Sequence, residues 1–481
     1  MSFKCVLVNP VQLVCPPFGL LSIGAVLESE GCKVSVKELP SRQTANYQDH
    51  VTALIRDIKE SEPDIIGITC MAAQRSEVMG IIGDIKKAPL RGRVIVGGVH
   101  ASFMPEEIMS WGADHVVVYE GEETIVELLD AVNGKRPLSS VKGIYYRDAG
   151  VVKFTGIRGP VEDLSKLPLP AYHLVDRSRF TTRRSEIRGR WSKSGWVMTS
   201  RGCPSSCTFC SAHRMFGKRV RYRKIDHVFA EIDLLVKNYD IETLVLMDDT
   251  FTVSRSYVAE FCKRVKIDHP RILWDCQARV NFFDEEYAKV LKESGCIQVD
   301  FGVESGSQKV LDRLKKGIKV EQTIKAFDIC RKYGLRTVAT IMVGNPGEGV
   351  EDLELTGKLL KRIRPDFYAA YYTTPFPGTD LYEEARSGGL IPGTDRYWHQ
   401  DATPVSLSGI DIKTLESYVR RFTRLNILKN YVMNPAFVYD MLCFSALNPG
   451  LASRVAYNLF TGNSKRALSL ITNSVYFNKQ G

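Results

Sequence analysis

Short apolar runs alternate with longer segments whose apolar positions recur every three to four residues over residues 1–135, the pattern of strands joined by crossover helices. The opening run, Cys5 to Val8, predicts a buried strand. From Phe18 to Ser29, Leu20, Leu21, Ile23, Gly24, Val26 and Leu27 make one helical face, and Gly31 stops the helix. Strands are predicted at Lys33–Val36, Ile65–Thr69, Val94–Val96 and His115–Val118, with helices at Val51–Lys59, Glu77–Lys86, Glu106–Trp111 and Thr124–Val132. This is the pattern of a doubly wound, Rossmann-like parallel sheet. Such sheets bind ligands at the carboxyl ends of their strands, here residues 9–17, 70–76, 97–102 and 119–124. No G-x-G-x-x-G follows the first strand, so a nicotinamide dinucleotide is not expected.

Residues 136–194 hold a short β pair, Gly143–Arg147 with Val151–Phe154, and then a proline-punctuated stretch that reads as a linker. A second series begins at Gly195, with strands Trp196–Ser200, Thr243–Asp248, Ile272–Ala278, Ile297–Val303, Thr337–Val343 and Phe367–Thr373. Six strands with intervening helices predict a partial (βα)6 barrel over 195–378, its active site at the carboxyl ends of the strands. Residues 379–481 read as a mainly helical C-terminal region.

Composition adds bounds. The 481 residues are 44% hydrophobic and 25% charged, enough for more than one core. No apolar run nears the ~20 residues that span a bilayer, and the expectation is a cytoplasmic protein. Twelve cysteines are too few for a disulfide scaffold in a chain of this length. The net charge of +10 is local: Arg177 to Lys224 carries fourteen Lys and Arg against Glu186 alone, +13, leaving −3 for the rest. Arginine clusters bind nucleic acid, but a solvated basic face that also neutralises an anionic cluster or an anionic substrate is the plainer reading, and nucleic acid is not the expected partner.

That block brackets Cys203, Cys207 and Cys210, a C-x3-C-x2-C loop directly after the first barrel strand. Three thiolates on one loop can hold three corners of a 4Fe-4S cube and leave one iron without a protein ligand. A Cys3His zinc site that uses His213 is the alternative.

The triplet, with Phe209 at the aromatic place, resembles the radical S-adenosylmethionine (SAM) enzymes. The resemblance extends to Asp248-Asp249 at the second strand end, Glu304-Ser305-Gly306 at the fourth, Gly344-Asn345-Pro346-Gly347-Glu348 at the fifth and Pro377-Gly378 at the sixth. It implies that Cys203, Cys207 and Cys210 ligate a 4Fe-4S cluster. It also implies that Asp248, Asp249, Arg279, Glu304, Ser305 and Gly344 contact SAM. Asp248 suits the ammonium group, Arg279 the carboxylate and Glu304 the ribose hydroxyls. Asp249 equally suits a helix cap, and Arg279 an ion pair with a neighbouring acid.

A doubly wound domain before such a barrel resembles the cobalamin-binding radical SAM enzymes. The residues that carry this are Pro16-Pro17-Phe18-Gly19-Leu20, Gly97-Gly98-Val99-His100 and Glu120-Gly121-Glu122, with Tyr119 where the family usually shows glycine. The D-x-H-x-x-G motif that donates an axial histidine is absent, so a bound cobalamin is expected to have no histidine ligand from that loop. The resemblance implies a C-methyltransferase in which one SAM methylates cobalt, a second yields a 5′-deoxyadenosyl radical, and the substrate radical takes the methyl group from methylcobalamin. It implies an external electron donor of the flavodoxin or ferredoxin type and a small-molecule or lipid-like substrate. Rival readings are a radical SAM cyclase, oxidoreductase or C–C bond-forming enzyme, an RNA-binding or RNA-modifying protein, and a non-catalytic iron–sulfur or zinc protein. The basic, aromatic stretch Leu415–Gly481 suits either helices packed on the barrel or peripheral contact with an anionic membrane.

Overall fold

The computed structural model describes residues 3–391 apart from 14, 41–45, 89, 185 and 189, together with 406–430 and 453. Fifteen strands occur in chain order among them. The first seven are β1 Lys4–Asn9, β2 Lys33–Glu38, β3 Ile65–Thr69, β4 Arg93–Gly97, β5 His115–Val117, β6 Ile144–Asp148 and β7 Val151–Phe154. They form one sheet in the order β2-β1-β3-β4-β5-β6-β7, parallel through β5 and antiparallel at β6 and β7. The connection reverses between β1 and β3, which opens a crevice at their carboxyl ends. Strand Val6 to Val8 is buried on both faces because helices cover both sides of the sheet, which is why it carries apolar residues without alternation.

The remaining strands are β8 Ser194–Val197, β9 Ser200–Arg201, β10 Arg221–Tyr222, β11 Thr243–Leu246, β12 Leu273–Ala278, β13 Cys296–Glu304, β14 Arg336–Val343 and β15 Phe367–Tyr372. Six of them make a parallel sheet in the order β15-β14-β13-β12-β11-β8, an open partial barrel. Its outer side is packed with large side chains. Phe251, Phe261 and Trp274 meet edge to face at 5.2–5.8 Å. Helix Glu285–Glu293 starts on Asp284, whose carboxylate accepts from the Tyr287 amide.

The expected linker is packed structure instead. Strands β6 and β7 extend the first sheet, and Tyr172, Val175 and Phe180 enter the barrel core. Tyr172 donates its hydroxyl to the Trp196 carbonyl at 2.8 Å and lies 2.5 Å from Glu231 Oε1. Arg179, 1% exposed, pairs through two nitrogens with Glu38 on β2 and donates to the Leu13 carbonyl. Prolines punctuate this stretch because it runs extended over the core. Beyond the barrel, helix Ile412–Asn430 packs on β15, where the Tyr368 hydroxyl donates to the Phe422 carbonyl. Most of Leu415–Gly481 lies outside the described residues, and among those searched no helix is long and apolar enough to cross a membrane.

Candidate active site

The cysteine loop leaves β8 and is held by the two-residue strands β9 and β10, which pair antiparallel. Gly202 lies between Arg201 and Cys203 at φ +105°, and a Cβ there would come within 2.6 Å of the Arg219 carbonyl, so only glycine fits. Cys203, Cys207, Phe209 and Cys210 line a cavity of about 300 Å³ at the carboxyl ends of the barrel strands. Asp249, Arg279 and Glu304 line it as well, as do Thr250 and Lys316.

Donors reach two of the sulfurs. Arg279 Nη1 lies 3.5 Å from Cys207 Sγ and the Ala212 amide 3.5 Å from Cys210 Sγ, while Thr250 Oγ1, which donates to the Asp249 carbonyl, stands 3.9 Å from Cys203 Sγ. Burial pushes the Cys210 thiol up to about 11, with Asp249 and the neighbouring cysteines adding to it, so a bound cation would favour its thiolate. Among the described residues searched, no three His, Cys, Asp or Glu side chains converge on a single metal ion, as a Cys3His zinc site would require. Three cysteines around a cavity, with donors aimed at sulfur, fit a multi-iron cube.

The two aspartates at the β11 end separate. Asp248 is absent from the cavity wall. Its carboxylate accepts from the Thr199 amide at 2.6 Å, the Ser200 amide at 3.1 Å and the Thr199 hydroxyl, so it braces the chain that leads into the cysteine loop. Burial pushes it up to about 6 despite those hydrogen bonds. Asp249 faces the cavity, accepts a hydrogen bond from the Gly202 amide and is raised by burial; the following short helix starts after Thr250, so Asp249 does not cap it. Of the two acids read as SAM contacts, Asp248 for the ammonium group, only Asp249 stands in the cavity wall. Among the described residues Arg279 pairs with no acid: besides Cys207 it contacts the Lys316 carbonyl and Asn281.

Glu304 ends β13 at φ +62°, left-handed backbone at a non-glycine residue. Its carboxylate meets Lys316 Nζ at 2.6 Å, both side chains 8% exposed. A Cβ on Gly302 would stand 2.5 Å from Glu304 Oε1 and 2.6 Å from Lys316 Nζ, so that glycine makes room for the pair. Ser305 and Gly344 do not line the cavity. Ser305 bonds to Thr356 and to the Ser307 amide. The Gly344 amide donates to Glu348, and a Cβ at Gly344 would lie 3.1 Å from Leu415. Lys316 carried no sequence signal, because it sits in no motif and only the folded chain brings it to the cavity; Thr250 lies in the strand-end segment beside Asp248 and Asp249, which alone assigns it no role.

A second cavity, about 430 Å³, lies between the first sheet and the barrel. Gly97, Gly98, Tyr119, Glu120, Gly121 and Glu122 line it from one side; Met198, Ser200, Arg201 and Phe216 line it from the other. A Cβ on Gly19, also in its wall, would meet nothing within 4 Å, and one on Gly97 only the Val117 carbonyl at 3.8 Å, so these glycines keep the wall low for a broad, flat ligand such as cobalamin. Gly98 has φ +104°, and a Cβ there would press the Cys70 carbonyl at 2.8 Å. Tyr119 takes φ +63°, the conformation a glycine would adopt without cost.

Two expectations for this loop region change. His100 is buried outside the wall, its Nε2 3.0 Å from Glu107 and its ring stacked on Trp111. Glu120 and Glu122 are bound to the barrel: Arg201 Nη2 meets Glu122 Oε1 at 2.6 Å, and Arg221 grips Glu120 with both terminal nitrogens. Of the described wall residues only His227 is a histidine; its Nδ1 accepts from Arg223 at 3.1 Å and its ring donates to the Leu167 carbonyl.

The basic block is consumed by pairing. Nine of its fourteen cations form ion pairs with acids outside the block: Arg179, Arg183, Lys193, Arg201, Arg214, Arg219, Arg221, Arg223 and Lys224. Most of the block therefore serves to join segments of the chain, which leaves a smaller basic face than the composition suggests.

Residues 4–129 match the B12 binding domain, and residues 197–360 the Radical SAM superfamily. An uncharacterized methyltransferase of Pyrococcus horikoshii is 33% identical over 378 residues, 78% of this chain and 80% of its own. The anaerobic magnesium-protoporphyrin IX monomethyl ester cyclase of Rubrivivax gelatinosus is 29% identical over 347 residues, 70% of this chain and 60% of its own. The radical S-adenosylmethionine methyltransferase TsrM of Kitasatospora setae, solved with cobalamin and a 4Fe-4S cluster, shares the fold. Its TM-score is 0.67 and its identity 22%, over 82% of this chain and 76% of that one.

Proposed function

The chain belongs to the cobalamin-binding radical SAM enzymes, and from that premise we propose that it is a cytoplasmic methyltransferase acting on an unactivated carbon of a small molecule. One observation carries the reading: Ser200 and Arg201 line the larger cavity and Cys203 the smaller, so a single stretch of chain serves both walls. When bound, the cluster supplies the electron that cleaves SAM to a 5′-deoxyadenosyl radical, and cobalamin supplies the methyl group.

The chain's own residues do the placing. Cys203, Cys207 and Cys210 hold the cluster, while Arg279 donates to Cys207 and compensates thiolate charge. Asp249 receives the ammonium of SAM, and Glu304, fixed by Lys316, receives its ribose hydroxyls. Gly97, Gly98 and Gly121 cradle the corrinoid, and the apolar walls Leu7, Ile68, Val117 and Met198 keep water away from its face. An acidic electron donor of the flavodoxin or ferredoxin type completes the reaction. With the basic block paired internally, the case for an anionic substrate or for nucleic acid loses its support; contact with an anionic membrane rests on the C-terminal composition alone.

Anaerobically reconstituted enzyme turning over its substrate is expected to release S-adenosylhomocysteine and 5′-deoxyadenosine in about equal amounts. Release of 5′-deoxyadenosine alone would remove the methyltransferase and favour the ring-closing reading to which the Rubrivivax gelatinosus relative's name points.

A further inference from the structure

Below the cysteine loop the inner face of the barrel is polar, where parallel strands are ordinarily apolar on both faces. Asp275, Gln277 and Arg279 alternate along β12 and its end, and Gln298, Asp300, Gly302 and Glu304 along β13, so successive polar groups point one way. The register sets Asp275 beside Gln298 and Gln277 beside Asp300. Gln277 and Asp300 line the smaller cavity; Asp275 and Gln298 form the layer beneath, two residues or about 6.6 Å deeper.

This floor has acceptors in excess of donors. Gln298 Nε2 donates to Asp300 Oδ1 at 3.0 Å and to Asp275 Oδ2 at 3.4 Å. Among the described residues Gln298 Oε1 and Asp275 Oδ1 then have no hydrogen-bond partner, although the two residues are only 1% and 6% exposed; the Asp275 carboxylate also accepts from the Leu246 amide. Among the described residues neither Asp275 nor Asp300 forms a close ion pair, although the Arg188 charge acts on Asp300 from farther off and pulls against its burial. Burial holds Asp275 well above the ordinary carboxylate range, with the Asp300 charge next in effect, and burial lifts Asp300 to about 6. Two buried carboxylates and two orphaned acceptors are costly unless something donates to them.

We propose that this floor binds a cationic nitrogen of the substrate, an ammonium or amidinium group with several N–H donors, and so that the substrate is a cation. The inference rests on the radical SAM reading of the cavity above it. Asp275 and Arg279 are four residues apart, about 13 Å along the strand, so the reacting carbon stands several bonds from the nitrogen.

The test is calorimetric titration of the reconstituted full chain, with SAM saturating, by hexylammonium, 1-hexanol and hexanoate. Hexylammonium is expected to bind at least tenfold more tightly than the other two, and Asp275→Asn and Gln298→Leu each to weaken it at least tenfold without weakening hexanol. Equal binding of the three probes, as would follow if SAM fills the floor, overturns the proposal. So does unchanged hexylammonium affinity in the folded variants, the signature of a purely structural acid pair. If neither variant folds, the charge preference of the unmodified chain decides. Iron content, cobalamin absorbance and SAM cleavage are read on the same sample; their loss counts against the proposed function, and the probes are then titrated into the unloaded chain and read by the same criteria.

Discussion

Asp248 and Asp249 are adjacent acids at one strand end, yet they do different work. The first satisfies two backbone amides and a hydroxyl, and the second stands in the cavity wall. Asp248→Asn places an amide donor against donors, and such a buried mismatch costs about 1–3 kcal/mol. Its unfolding midpoint in urea is expected to drop and its iron content with it. Asp249→Asn is expected to keep the midpoint and to weaken SAM binding at least tenfold, measured by equilibrium titration. The motif alone could not divide these roles: both residues lie where the strand leaves the sheet, and which one turns inward is set by the hydrogen bonds of Thr199 and Ser200, in the chain that follows β8. Glu304 was visible as a motif, whereas its partner Lys316 was not, because a separation of 12 in sequence hides a return of the chain.

At the scale of elements, the cysteine loop owes its shape to β9, β10 and the glycine between Arg201 and Cys203. Gly202→Ala combines a left-handed backbone with contact on a carbonyl that cannot retreat, a strain of roughly 1–3 kcal/mol before the clash is counted. The variant is expected to reconstitute with reduced iron while keeping cobalamin absorbance; equal iron would show that the loop is set elsewhere. Long strands such as β13 and helices such as Phe18–Ser29 were legible because periodicity spans the whole element. The pair β9 and β10 was not, since each has two residues and their pairing joins positions 20 apart. Residues 155–193 were misread as a linker because prolines signal extended chain whether it is exposed or, as at Tyr172 and Phe180, buried in a core.

Across the whole molecule, electrostatics joins the two halves. Arg201 and Arg221 of the barrel reach Glu122 and Glu120 of the first domain across 79 and 101 residues of sequence, separations that no local pattern encodes. Burial alone would raise Glu122, but the Arg201 charge and hydrogen bond hold its carboxyl below the ordinary range. A depressed carboxylate contributes stability above its unfolded value of ~4.3, and that contribution is lost as pH falls through the lower folded value. The urea midpoint of the unmodified chain is therefore expected to fall more steeply below about pH 4.3 than that of Glu122→Gln, which carries no charge to lose. At neutral pH the variant removes the closer partner of Arg201, leaves it Glu120 at 3.7 Å and is expected to lose about 1–3 kcal/mol. Ser200 to Cys203, which walls both cavities, spans three residues, no more than about 10 Å of chain. The gap between the methyl-bearing and radical-generating chambers is thus written into covalent backbone and does not depend on how the domains settle, so a lineage can remodel the floor or the lid to admit a new substrate while the reach between its two reagents stays constant.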